Sequence, residues 1–183
     1  MQKSQKPVYK SVRSIITEQA KTYGSKPYMV SIDQEEKELS YENLFRLGNQ
    51  IAAFLAARGL KANDRILMLS ENSIEFISVF LGVQRAGGTI ATANVEMNRS
   101  HIREILGAVN PSLVLVQEGL GLEKLKNPNM AAEWIPLGNW QSNGTSSGFF
   151  RAISDFDDQQ DIDEVCSADD IAVIFYTSGT EAK

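Results

Sequence analysis

The stretch "RILMLSENSIEFISVFLGVQRAGGTIATAN", residues 65–94, contains the repeating unit from which the fold can be predicted. "RILMLS" (65–70) is a short apolar run typical of a buried strand, and "TIATAN" (89–94) is a second one. Between them, Ser73 is placed to cap a helix, and the pair Gly87-Gly88 ends it. The predicted apolar side of this helix consists of Phe76, Ile77, Phe80, Leu81 and Val83. A strand, a helix and a strand in this order predict a right-handed crossover between parallel strands.

The same rhythm continues on both sides of this unit. Upstream, Ser40 is predicted to cap a helix that ends at Gly59, with an apolar face of Leu44, Leu47, Ile51, Phe54 and Leu55. Downstream, Ser100 is predicted to cap a helix that ends at Asn110-Pro111, and "SLVLVQ" (112–117) is a further strand. Apolar strands alternating with amphipathic helices predict an α/β fold: a doubly wound, mostly parallel sheet flanked by helices.

The outer parts of the chain give weaker or more local signals. Apolar residues at helical spacing predict a helix over 11–23, and "YMVSID" (28–33) with "LSY" (39–41) indicates a hairpin. Further predictions are a short helical stretch over 119–126, a strand at "EWIPL" (133–137), a loop or linker over 138–148, and one or two helical turns at "FFRAISDF" (149–156). Residues 155–170 carry eight Asp or Glu, interpreted as a solvated acidic loop, with a metal site as the alternative.

Composition argues against several classes of function. With 183 residues the chain has about the length of one domain, at roughly 150 residues per domain. A net charge of −5 argues against nucleic-acid binding, which needs a positive surface. One cysteine (Cys166) and one histidine (His101) make an internal disulfide impossible and argue against a His/Cys metal site. No 18-residue apolar run and no signal peptide are recognised, which predicts a soluble, cytoplasmic protein without a membrane span.

Familiar site motifs are absent or incomplete. The Walker phosphate loop is absent, "GLGLEK" (119–124) has Lys124 where a dinucleotide motif needs its third glycine, and Tyr176 replaces the first glycine of a nucleophile elbow. His101 is interpreted as a surface or capping residue. Asn143-Gly144-Thr145 matches a glycosylation sequon, interpreted as a chance match because no signal peptide precedes it.

The last strand leads into the strongest candidate for a binding site. "IAVIFY" (171–176) is an uninterrupted apolar run, predicted to be a central buried strand. Thr177, Ser178, Gly179 and Thr180 follow at its carboxyl end, where open α/β sheets bind their ligands. Glycine lets backbone N–H groups approach a ligand, and hydroxyl groups add donors that suit phosphate oxygens. From composition alone, a phosphate site and an ordinary turn both remain open.

"YTSGTEAK" (176–183) resembles the phosphate-loop signature of the AMP-forming, acyl-activating enzymes, which reads roughly [YF]-[TS]-S-G-[ST]-T-G-x-P-K-G. This superfamily includes acyl-CoA synthetases, luciferases and adenylation domains of peptide synthetases. Residues 39–94 are similar to the family's opening, with "LSYENL", "NDRI", "NSIEF" and "LGVQRAG" in the expected order. The resemblance covers about residues 10–117 and 165–183. The sequence departs from the family pattern at four places. Glu181 and Ala182 stand where the family often has Thr and Gly, and Asn63 stands where it often has Gly. The segment after "ATAN" lacks the proline that is common there, and Lys183 aligns with the variable x of the pattern rather than with its lysine.

The resemblance implies an ATP-dependent acyl-CoA synthetase that uses Mg²⁺, a small carboxylic acid and CoA. It implies that Thr177, Ser178, Gly179 and Thr180 bind the ATP phosphates, with lesser contributions from Glu181 and Lys183. It also implies that residues 1–183 are a partial N-terminal domain without catalytic residues, inactive alone and binding ATP no better than millimolar. A non-catalytic binding or assembly module with the same fold, and an unrelated flavodoxin-like phosphate binder, remain alternatives.

Overall fold

The computed structural model describes residues 10–32, 37–160, 163 and 165–176. Within these ranges the elements are, in chain order, α1 (Val12–Tyr23), β1 (Pro27–Ser31), β2 (Lys37–Ser40), α2 (Tyr41–Ala57), β3 (Arg65–Leu69), α3 (Ile74–Arg85), β4 (Thr89–Thr92), α4 (Arg99–Val109), β5 (Leu113–Val116), a 3-10 helix (Leu122–Leu125), β6 (Glu133–Pro136), α5 (Gly148–Ile153) and β7 (Val173–Phe175). None of the helices in the described ranges combines the length and the apolar character needed to cross a bilayer.

Five strands form one parallel sheet in the order β6-β5-β3-β4-β7. β3 is central, so that Ile66 pairs with Ile90 of β4 on one side and with Leu113 of β5 on the other. β1 and β2 form a separate antiparallel hairpin. The predicted alternation of strands and helices, the hairpin and the strand at 133–136 are therefore confirmed.

The sheet separates two apolar cores. Side chains alternate along a strand, so Ile66 and Met68 of β3 face one core and Leu67 and Leu69 face the other. The first core is covered by α1, α2, α3 and α5, and the second by α4 and the 3-10 helix. These four of the five β3 side chains are fully buried. Helices on both faces of a parallel sheet confirm the doubly wound α/β prediction.

Side-chain caps start the principal helices. Ser40 and Ser73 accept hydrogen bonds from the backbone N–H groups of Asn43 and Phe76, at 3.1 and 3.0 Å, as predicted. The prediction for Ser100 is wrong, because α4 begins two residues earlier than that cap would allow. Asn98 has the extended backbone of a cap, and its Oδ1 accepts from the His101 N–H at 2.9 Å.

The buried face of α3 also differs from the prediction. Its fully buried positions are Ile74, Glu75, Ser78, Val79, Gly82, Val83 and Arg85. Of the predicted apolar side only Val83 is buried, while Phe76 and Phe80 are half-buried at its margin. Gly82 allows α2 to approach closely, because a Cβ at this position would lie 2.5 Å from Cδ1 of Ile51. Small size therefore contributes to the choice of the contact face, beside hydrophobicity.

β7 is not the central strand that its apolar run predicts. Among the described residues it pairs only with β4, which places it at the edge of the sheet. It is three residues long, and Phe175 is 66% exposed and Ile171 60% exposed. An apolar run predicts burial only where strands lie on both sides, and here one side has no described neighbour.

Candidate functional site

The carboxyl edge of the sheet is where the predicted phosphate-binding residues leave the last strand. Thr92 of β4 pairs with Phe175 of β7, so Tyr176 emerges beside the carboxyl end of β4. Tyr176 is half-buried against the second core. Thr177, Ser178, Gly179, Thr180, Glu181 and Lys183 lie outside the described residues, so their assignment as phosphate-binding residues stays a prediction.

The strand order predicts a crevice at this edge. The connection after β3 leads to α3 on the first face, whereas those after β4 and β5 lead to the second face. Connections that leave neighbouring strands toward opposite faces open a gap between them, and ligands of open α/β sheets bind there. Neighbouring strands are about 4.8 Å apart, so β7 lies roughly 10 Å from β3 across this edge.

Ser70, Glu71 and Gln117 form a hydrogen-bonded cluster at the ends of β3 and β5. Gln117 Oε1 accepts from the Ser70 hydroxyl at 3.0 Å and from the Glu71 backbone N–H at 2.9 Å. Its Nε2 donates to Glu71 Oε2 at 3.1 Å. The cluster ties two strand ends together and fixes a carboxylate at the rim of the crevice. Sequence reasoning missed it, although each residue closely follows an apolar strand.

The turn after β4 lies between this cluster and the end of β7. Asn94 Oδ1 accepts from the Glu96 N–H at 2.8 Å, and the Asn94 carbonyl accepts from the Met97 N–H at 3.1 Å. These bonds stabilise a compact turn, although the segment lacks the proline that the resembled enzymes commonly have after this strand. At the carboxyl ends of β3, β4 and β5, polar side chains therefore bond to backbone groups of the following segments.

Glu75 is a second carboxylate that sequence reasoning missed. It lies in the first turn of α3, and its Oε1 accepts from Lys37 Nζ at 2.8 Å and from the Trp140 N–H at 3.0 Å. Burial alone would raise the pKa of Glu75, but the hydrogen bonds from Lys37, Trp140 and its own backbone N–H lower that pKa below its ordinary value. These bonds join β2, α3 and the loop after β6, a structural role near the same edge.

A buried hub of hydrogen bonds links the first three helices. Arg85 donates to Asn49 Oδ1 from Nε at 3.0 Å and from Nη2 at 2.6 Å, and its Nη1 donates to the Arg13 carbonyl and to Thr17 Oγ1 at 3.1 Å each. Asn49 Nδ2 donates to the Asp158 carbonyl at 2.7 Å. The hub fixes α1, α2 and α3 relative to one another, and these bonds involve no described residue of the carboxyl edge.

The acidic segment is attached to the fold at several points. Asp158 pairs with Arg46 at 3.3 Å, and Asn63 donates to Asp170 at 2.8 Å. The hydrogen bond from Asn63 and the one from the Ser167 backbone lower the pKa of the exposed Asp170. In the part of the chain that the structure describes, no three His, Cys, Asp or Glu side chains gather to hold a metal ion.

A cavity of about 350 Å³ lies at the opposite end of the sheet. It is lined by Ser11 and Ser14 at the start of α1, by Gly87 before β4, and by residues 166–168 and 170–172. His101 is exposed on α4, and its backbone N–H is bonded to the cap. Cys166 therefore lies at the end of the sheet opposite the carboxyl edge, and His101 is an exposed residue in the first turn of α4.

The fold is a doubly wound α/β domain, and its strand order predicts that a ligand would bind at the carboxyl edge of the sheet. Residues 16–183 match the AMP-binding enzyme family, and the chain belongs to that family. The match begins within α1 and includes the whole sheet and the predicted phosphate loop.

Curated relatives match nearly the whole chain. Tyrocidine synthase 1 from Brevibacillus parabrevis is 28% identical over 174 residues, which are 95% of this chain and 14% of the relative. Bacitracin synthase 1 from Bacillus licheniformis is 26% identical over 177 residues, which are 97% of this chain and 3% of the relative. The chain thus spans a small fraction of the length of these relatives.

Solved structures share the fold. A fatty acyl CoA synthetase from Mycobacterium tuberculosis superposes with a TM-score of 0.77 at 19% identity, covering 92% of this chain and 32% of that one. ATP-bound MatB from Rhodopseudomonas palustris superposes with a TM-score of 0.71 at 23% identity, covering 93% and 33%. The chain spans about a third of each.

Proposed function

We propose that this chain forms the phosphate-binding part of an ATP-dependent, carboxylate-activating ligase. What supports the proposal is the family match through residue 183, together with a strand, β7, that ends at the carboxyl edge of the sheet beside β4. In the sequence, "TSGT" (177–180) follows one residue after the last described residue pair of this strand. That edge is where doubly wound sheets bind their ligands.

The proposed reaction has two steps. A carboxylate oxygen of the acid attacks the α-phosphorus of ATP, and the bond to the β-phosphate breaks to release pyrophosphate. The sulfur of a thiol then attacks the carbonyl carbon of the acyl adenylate, and AMP leaves. The proposed thiol is CoA, which makes the enzyme an acyl-CoA synthetase. Mg²⁺ would offset the charge of the phosphates.

The proposed role of this chain is positioning and charge stabilisation. Backbone N–H groups and the hydroxyls of Thr177, Ser178 and Thr180 would donate to the β- and γ-phosphate oxygens, with Gly179 allowing close approach. Fixing these oxygens orients the α-phosphorus for in-line attack. The side chains of Glu181 and Lys183 would sit at the margin of the loop. Catalytic side chains are proposed to come from outside residues 1–183.

A second candidate is an adenylation unit that passes its acyl group to a carrier-linked thiol. The observation in its favour is that two synthases, tyrocidine synthase 1 and bacitracin synthase 1, align over at least 95% of this chain. The chemistry at the phosphate edge is the same in both candidates, so the acceptor thiol distinguishes them.

The test uses protein expressed from the complete gene. ATP–pyrophosphate exchange is measured with panels of fatty, aromatic and amino acids, and thioester formation is then followed with CoA. Acid-dependent exchange is expected, followed by consumption of CoA. Exchange without CoA consumption would favour the carrier-linked candidate, and no exchange with any acid would refute both and support a non-catalytic module.

A matched pair of variants tests the phosphate loop. Removing one preorganised donor to developing charge costs on the order of 10²–10³ in rate. Ser178→Ala should therefore lower kcat/KM for ATP strongly, whereas Ser142→Ala, in an exposed loop, should leave it unchanged. Equal activities would remove Ser178 from the proposed site.

A further inference from the structure

The loop between β6 and α5 has a fixed base and an exposed tip. At the base, Asn139 and Ser147 are joined by two hydrogen bonds: the Ser147 N–H donates to the Asn139 carbonyl at 2.9 Å, and the Asn139 N–H to Ser147 Oγ at 3.0 Å. Trp140 is buried and bonds Glu75 through its N–H. Residues 142–145 at the tip are exposed. The tip is therefore open to solvent, while hydrogen bonds hold the base of the loop together.

Within this tip, Asn143 is held against a residue that closely follows it. Its Oδ1 accepts from the Thr145 backbone N–H at 3.1 Å and from Thr145 Oγ1 at 2.7 Å. Because Asn143 Oδ1 is bonded to Thr145, the side-chain amide of Asn143 is held on the side of Gly144, the residue between the two. The two donors also withdraw electron density from the carbonyl, which makes Cγ more electrophilic.

Gly144 leaves that carbon accessible. It has a φ of 84°, and a Cβ built on it would meet no atom within 4 Å. Asn143 is also the only asparagine of the sequence that is followed by glycine. Its position at an exposed tip, with a polarised side-chain amide and an unhindered neighbour, combines the requirements for attack by the backbone nitrogen.

We propose that Asn143 is a site of spontaneous covalent modification, by deamidation through a cyclic imide. The Gly144 nitrogen loses its proton to hydroxide and attacks Cγ of Asn143; the Cγ–Nδ2 bond breaks and ammonia leaves. Water then opens the imide at either carbonyl, giving aspartate or isoaspartate. One ammonia is lost and one water is consumed. Both products add a negative charge to the tip, and isoaspartate also lengthens the backbone by one carbon.

A hydrogen bond of the Gly144 N–H slows the first step of the reaction. The Gly144 N–H donates to the Gln141 carbonyl at 3.1 Å, and this bond must open before the proton can leave. Opening is local, because Gln141 and Gly144 lie in the same turn and the base bonds need not break. The folded protein therefore reacts without global unfolding.

The experiment follows the purified protein during storage at mildly alkaline pH, by peptide mapping with mass spectrometry and enzymatic methylation of isoaspartate. The peptide that contains Asn143 should gain the mass difference between an amide and an acid, faster at higher pH. Asn110 and Asn127 serve as internal controls, because each precedes a proline that has no N–H to attack with. A peptide with Asn143 that keeps its mass while urea-unfolded protein reacts would overturn the proposal.

Two variants separate the hydrogen bonds from the sequence motif. Thr145→Val removes the hydroxyl donor and keeps the shape, and it should slow the folded-state reaction several-fold. Thr145→Ser keeps the hydroxyl and should restore the rate. In urea, the parent protein and the two variants should deamidate at the same rate. Equal rates for the folded Val and Ser variants would overturn the assigned role of the Thr145 hydroxyl, with circular dichroism verifying that both variants are folded.

Discussion

Gly82 of α3 gives the sharpest test of how the helices pack above the sheet. A Cβ added at this position would lie 2.5 Å from Cδ1, 3.1 Å from Cβ and 3.2 Å from Cγ2 of Ile51 in α2. The Cβ of Ile51 cannot rotate away, because it is attached directly to the α2 backbone, and Ile51 is fully buried. Gly82→Ala must therefore push α2 and α3 apart.

Gly107 of α4 provides a matched control. Each glycine lies eight positions after the first residue of its helix, Ile74 or Arg99, and a Cβ on Gly107 would meet no atom within 4 Å. Replacing glycine by alanine inside a helix contributes about 1 kcal/mol in both cases. This gain cancels between the two variants, so their difference measures the steric cost alone, about 1–3 kcal/mol for an overpacked core.

The assay is urea unfolding followed by far-ultraviolet circular dichroism, with the slopes compared to ensure that the same transition is measured. Gly107→Ala should be more stable than the parent protein by about 1 kcal/mol. Gly82→Ala should be less stable than Gly107→Ala by about 1–3 kcal/mol. Equal midpoints for the two variants would refute the argument that Gly82 is required for the contact between α2 and α3.

Three further predictions concern buried charge and nucleotide affinity. Because the folded pKa of Glu75 lies below its ordinary value of about 4.3, its stabilising contribution is complete above that pH and is lost as the pH falls through the folded pKa. Glu75→Gln should flatten the acid limb of a stability–pH curve, and an unchanged limb would contradict the assigned bonds. Arg85→Lys keeps the positive charge but loses the guanidinium group, whose two nitrogens both donate to Asn49. Measured by urea titration, this variant should lower the free energy of unfolding by about 1–3 kcal/mol. The control Lys10→Arg, at an exposed position, should leave the stability unchanged. For residues 1–183 alone, two charge-assisted hydrogen bonds supply roughly 3–6 kcal/mol. Against an association cost of at least ~4 kcal/mol, ATP should bind no tighter than about 1 mM by calorimetry. A micromolar Kd would contradict this estimate.

Local features of the sequence predicted most of the fold. Strand–helix alternation, the hairpin and the Ser40 and Ser73 caps depend on neighbours within a few residues, and each is confirmed. Ser100 failed because Asn98, two residues earlier, is an equally suitable cap and its backbone is extended. When two residues in one turn can both cap a helix, the sequence does not show which of them has the extended backbone that an N-cap requires.

Features that depend on tertiary contacts could not be predicted. Arg85 and Asn49 read as polar positions of amphipathic helices, yet they are buried because they bond each other. Local patterns do not contain strand order either. The apolar run of β7 therefore predicted a central strand, whereas among the described residues β7 lies at the edge of the sheet. The residues proposed to bind phosphate lie outside the described ranges. The strand pairing shows only that β7, the strand before them, ends beside β4.

The distance along the chain between β4 and its partner β7 predicts the order in which the sheet forms. β3, β4 and β5 are joined by short crossovers and can associate early, whereas Ile90 of β4 must wait for Val173, far along the chain. Contacts between distant parts of a chain form late because closing a long loop costs entropy. β7 is short and bonded on one described side, so its amides should exchange with deuterium before those of β3. The strand that leads into the proposed phosphate loop would thus be the last to join and the first to detach, so any ligand bound beside β4 would stabilise the final step of folding.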